Sequence, residues 1–137
     1  MFYREINIDD WDIRFLFSFD FYDKARVMHS LRWADAPDSI TLHVEKNINA
    51  GRLNEGFCYS NPSLRRTVLG TGVASSGPEV LNSIVHEIIH ICQHVAQEDD
   101  IDPFGEDFAY LGGDISREVS DIVCRLSCPK CGKRMAF

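Results

Sequence analysis

The chain has no apolar run long enough to span a bilayer, no basic excess and no regular cysteine framework. Each lack closes off a class of protein. A transmembrane helix needs about 20 apolar residues in succession, and Met1-Phe2-Tyr3-Arg4-Glu5-Ile6 lacks the apolar core of a secretory signal. A membrane partner is therefore not expected. Lys+Arg number 14 against 21 Asp+Glu, a formal charge of −7. That is the wrong sign for a broad nucleic-acid-binding surface. The 5 cysteines are odd in number and irregularly spaced, which favours a reducing, cytoplasmic setting with free or metal-bound thiols over disulfides. Repeats, low-complexity tracts and linkers are also missing. What remains is one domain over residues 1–137 with a short cysteine-containing tail from about 124. With 45% hydrophobic residues it can bury a core.

The first half reads as strands with one helix. Phe2 to Ile8 suits a short strand turned at Asp9-Asp10. From 13 to 21, Ile13, Phe15, Phe17, Phe19 and Phe21 alternate with Arg14, Leu16, Ser18 and Asp20, a strand with one strongly apolar face. Tyr22 to Trp33 has Val27, Met28 and Leu31 at helical spacing, and Ala36-Pro37-Asp38 breaks it. Ser39 to Glu45 alternates again through Ile40, Leu42 and Val44. Asn47 to Gly56 reads as a loop. Phe57 to Ser60, stopped at Asn61-Pro62, and Arg66 to Val73 read as strands. Two helices close the chain, so the class is α+β. The last runs from about Gly105 to Leu126, with Phe108, Leu111, Ile115, Val119, Ile122 and Leu126 on one side and Gly112-Gly113 interrupting it. The two glycines mark either a kink or a close approach to a neighbouring helix.

The chemistry is concentrated in the first of those helices. Ser76-Gly77-Pro78-Glu79 is a helix start, and Leu81, Ile84, Val85, Ile88, Cys92 and Val95 follow at helical spacing. Within this stretch lies His86-Glu87-Ile88-Ile89-His90. On a helix, His86 and His90 stand one turn apart on the same side and can hold one zinc ion. Glu87 is displaced around the helix, where it reaches a water beside the metal and not the metal itself.

A catalytic zinc takes three protein ligands and keeps one position open. His94 continues the histidine series, but residues 86 and 94 lie about 12 Å apart along a helix axis, too far to share an ion. Glu106, 16 residues after His90 (106 − 90), is the stronger candidate. It opens Gly105-Glu106-Asp107-Phe108-Ala109-Tyr110, where a returning helix would present it to the metal. Small Ala109 permits close packing, and Tyr110 lies one turn further along the same face. Any of Glu98, Asp99, Asp100, Asp102, Asp107 or Asp114 is a rival, and an acid near a helix N-terminus also favours the helix dipole.

An H-E-x-x-H followed by a Glu ligand on a second helix resembles the gluzincin zinc metallopeptidases. Ser60-Asn61-Pro62-Ser63-Leu64-Arg65-Arg66-Thr67-Val68, Leu81 to His90 and Gly105 to Leu111 together are similar to small metallopeptidase-like proteins of phages and prophages, over about residues 50 to 117. The resemblance implies a compact zincin-like domain, a small twisted sheet packed on the H-E-x-x-H helix and a C-terminal ligand-bearing helix. It implies zinc held by His86, His90 and Glu106. One departure stands out. Thermolysin-like gluzincins carry Asp one turn after the ligand Glu, where this chain has Tyr110.

The expected activity is zinc-dependent hydrolysis of a peptide or protein substrate. Glu87 serves as general base and Tyr110 steadies the developing oxyanion. A substrate strand adds to a free sheet edge at Arg66 to Val73. The rival expectation is a catalytically silent zinc-containing module that binds another protein. At the tail, Cys124, Cys128 and Cys131 resemble half a zinc ribbon, a second metal site that Cys58, Cys92 or another protomer would have to complete.

Overall fold

The structure, a computed structural model, describes residues 1–127. Within the α+β class, the chain divides into two compact units, Met1–Val73 and Ala74–Phe137. The tail positions Cys128 and Cys131 lie outside the described residues.

The first unit is built on a four-stranded sheet. In chain order it comprises β1 (Phe2–Ile8), β2 (Trp11–Phe19), a 3-10 turn (Phe21–Asp23), α1 (Lys24–Trp33), α2 (Asp38–Asn49), β3 (Phe57–Asn61) and β4 (Arg66–Gly72). Across the sheet the order is β1-β2-β4-β3. β1 and β2 form a hairpin whose two turn residues, Asp9 and Asp10, both have positive φ, 50° and 65°. That is the turn geometry whose twist matches the strands, and short polar side chains tolerate it. β2 and β4 pair in parallel, so a long crossover must join them; α1, α2 and β3 supply it. β4 is thereby interior, flanked by β2 and β3. The expected free edge at Arg66 to Val73 is wrong: the edges are β1 and β3.

Two further sequence readings are corrected here. β2 does not keep one apolar face to residue 21. Ser18 has φ 59° and sits at a register shift between Phe17 and Phe19. The bulge turns Phe19 to the side of Leu16, where both join Val27, Met28 and Leu31 of α1, Val44 and Ile48 of α2, and Val68 in one core. Trp11, Ile13, Phe15 and Phe17 occupy the other face, each 0% exposed, while Phe21 has left the strand and is 55% exposed. Burying each such side chain contributes about 1.5–3 kcal/mol. Second, the alternation from Ser39 to Glu45 belongs to helix α2. Ile40, Val44 and Ile48 are spaced four apart, Val44 and Ile48 are buried, and Leu42 is 63% exposed. Pro37 holds the N-cap in extended backbone without a side-chain cap, and Asp38 in the first turn favours the helix dipole.

The second unit contains α3 (Gly77–Asp99) and α4 (Glu106–Ser127), which pack together. Ser76 caps α3, its hydroxyl accepting from the Glu79 amide, with Pro78 in the first turn. Asp100 ends it in the left-handed conformation, φ 55°. The helices run antiparallel. A Cβ on Gly77, at the start of α3, would meet the carbonyl of Ser127 at the end of α4. The buried residues are Ile84, Glu87, Ile88, Ile91, Cys92, Val95 and Ala96 on α3 and Leu111, Ile115, Val119 and Ile122 on α4. α4 runs unbroken through Gly112-Gly113. Of the two accounts of that pair, close approach fits Gly112, whose Cβ would sit 3.7 Å from the Cys92 sulfur.

Candidate metal centre

All three residues of the densest candidate site come from α3. His86 and His90, four residues apart, bring their Nε2 atoms to 3.2 Å. Their rings meet edge-on, 78° apart, with centroids 4.8 Å apart. Two imidazoles sharing a tetrahedral zinc at about 2.05 Å would hold their nitrogens about 3.3 Å apart, so the observed spacing fits such an ion. With no ion between them, the same spacing allows one Nε2–H to donate to the other nitrogen. A Glu87 carboxylate oxygen completes a group whose ligand atoms all lie within 4.8 Å of one another. It is the one such His/Cys/Asp/Glu group among the described residues, and it could hold a metal ion.

Burial distinguishes the three. His86 is exposed and His90 half-buried, whereas Glu87 is 6% exposed. The reason is helical. Glu87 shares a stripe with Ile84, Ile88 and Ile91, all buried on α3. That spacing was legible in the sequence and predicts the burial; displacement from the histidine row alone does not. Burial raises the Glu87 carboxyl above the ordinary carboxylate range, while His86 and His90 pull it back. On the other side of the histidine row stand Leu81, Val85 and Ile89, 49%, 44% and 47% exposed. Leu81 and Val85 line a mostly apolar groove of about 420 Å³ between α3 and α4, with Val119, Val123 and Cys124 opposite.

The remaining candidates fall outside the group. The His94 ring stacks on that of His90, centroids 6.3 Å apart, and burial followed by the His90 charge lowers its pKa. Glu106 is exposed in the first turn of α4, and Tyr110 is 65% exposed one turn on. The structure therefore gathers His86, Glu87 and His90 and does not gather Glu106 with them. Cys92 is buried and its thiol is pushed up to about 11, so it stays protonated at neutral pH and is a poor ligand. Cys58 and Cys124 are half-buried, and no disulfide joins the three described cysteines. No described helix is long and apolar enough to cross a membrane.

No protein family, curated protein sequence or solved structure matches the chain.

Proposed function

We propose that the chain is a zinc-dependent hydrolase of peptide or related amide bonds, akin to the gluzincins that its motif resembles. The observation that carries this reading is the 3.2 Å pair of His86 and His90 nitrogens beside a buried Glu87. Hydrolysis needs a carboxyl base beside the ion, and Glu87 stands within the same group as the two histidines. When bound, zinc supplies a Lewis acid that polarises the scissile carbonyl and makes water a better nucleophile. His86 and His90 hold the ion. Glu87 takes the proton of the attacking water and delivers it to the leaving amine, work suited to a carboxyl raised by burial. Glu106 is the third ligand in this reading, as the resemblance implies, and Tyr110, one turn further along α4, is the oxyanion donor. Half-exposed Leu81, Val85 and Ile89 beside the histidine row give an apolar residue of a peptide somewhere to lie.

The same apolar stripe favours a second reading, a zinc-containing module that binds a protein partner and turns nothing over. Glu87→Gln separates the two. It keeps size and removes the base, so zinc content and thermal stability should stay near wild type. Cleavage of a broad peptide library by the full chain should be chelator-sensitive and fall roughly 10²–10⁴-fold in the variant. Zinc-loaded wild type that cleaves nothing, or a variant as active as wild type, would overturn the enzyme reading.

A further inference from the structure

The sheet unit has a cavity of its own. It measures about 460 Å³ and lies where α1 leaves the β1–β2 face partly uncovered. This is within the usual volume of a small-molecule site. Its apolar lining includes Met1 and Ala25, with buried Leu16 at the base. Tyr3, Arg14, Arg26, His29 and buried Ser30 supply the polar groups, and no carboxylate is among the lining residues. In a chain with 21 acids and 14 Lys+Arg, a wall with two arginines, a histidine and no acid runs against the background.

One wall is also fixed. Arg14 Nε donates to Glu5 Oε2 at 3.1 Å, and the Tyr3 hydroxyl donates to the same oxygen at 2.8 Å. The Arg14 guanidinium lies over the Trp33 ring, 3.9 Å from its centroid. A guanidinium held on two sides loses little entropy when a ligand arrives. Opposite, Arg26 and His29 stand three residues apart on α1, both exposed. Glu5 offsets the charge of Arg14, so Arg26 is the cation that selects the ligand.

We propose that this cavity binds an organic anion with an apolar body, its carboxylate at Arg26 and His29 and its chain against Met1 and Ala25. The site lies within the sheet unit and does not rest on the metal reading. The test is an amide NMR titration of the full chain with octanoate, octanamide and acetate, repeated with chelator present. Octanoate should give saturable shifts around Tyr3, Arg14 and Ala25 to His29 with or without chelator. Octanamide, which keeps the chain and lacks the charge, should bind at least about tenfold more weakly. Acetate, which keeps the charge and lacks the chain, should not saturate. Arg26→Gln with His29→Gln changes two exposed side chains, so the fold should hold while octanoate weakens at least about tenfold. Ala25→Trp, also at an exposed position, should fill the cavity and abolish binding. Equal affinity for octanamide, no effect of the paired glutamines in a folded chain, or no saturable octanoate shift would overturn the proposal.

Discussion

The two units of this chain bury polar groups in different ways. In the sheet unit the buried polar residues are Ser30, Thr67 and Thr71, all hydroxyls; in the helical hairpin the buried one is Glu87, a carboxylate. A hydroxyl is cheaply satisfied, as Thr67 shows by sharing a 2.8 Å hydrogen bond with Ser60. A carboxylate in an apolar stripe is costly, and its raised pKa records that cost. Packing explains the first set without any chemistry. It does not explain Glu87, which sits among isoleucines where another isoleucine would cost less. The contrast is between a sheet whose buried polar groups packing explains and a helix, α3, whose buried carboxylate it does not.

That contrast can be broken by mutation. The largest effect is expected in the sheet unit. Phe15→Ala removes a ring that is 0% exposed and should cost about 3–5 kcal/mol in urea unfolding. His90→Ala, on the half-buried row of α3, should shift the metal-free chain by no more than about 0.5 kcal/mol. If the two cost the same, the contrast between the sheet and α3 is wrong.

A smaller and sharper pair uses glycines. A Cβ on Gly72 of β4 would fall on the backbone carbonyl of Leu53, whereas one on Gly113 of α4 meets nothing within 4 Å. Gly72→Ala should therefore destabilise by about 1–3 kcal/mol. Gly113→Ala should stabilise by about 0.5–1 kcal/mol, because alanine is the better helix former. Thermal melts of the two variants should move in opposite directions. A loss of stability in Gly113→Ala would mean that this glycine serves a purpose that the packing does not reveal.

Much of this was legible in the sequence, for physical reasons. The Phe-rich alternation located β2 because a strand repeats every two residues, and the caps around Ser76 and Pro78 located α3. α2 was misread because Ile40 and Val44 fit both periods over so short a stretch, and Leu42 between them completes a strand-like alternation; only Ile48, one turn further, decides for the helix. The bulge at Ser18 left no local signal. The parallel pairing of β2 with β4 joins residues far apart in sequence, so the interior place of β4 could not be inferred from its own composition. At the site, H-E-x-x-H fixed the His86–His90 geometry, because one helical turn is a local rule. Bringing Glu106 to that pair depends on how two helices pack, which the spacing in sequence does not determine.

Ligand assignment is sharpened by metal content. Glu106→Ala should lose main-site zinc about as badly as His90→Ala, and His94→Ala should keep it, measured by elemental analysis after dialysis. Zinc retained in Glu106→Ala and lost in His94→Ala would move the third ligand along α3.

The most direct test is the zinc content of the full chain against that of His86→Ala/His90→Ala, both purified alike. Any metal held at the cysteine tail is common to the two and cancels. The account predicts a difference of about one zinc per chain, with both proteins folded. Equal zinc content in two folded proteins would contradict it, and the His86–Glu87–His90 group would then not be a metal centre.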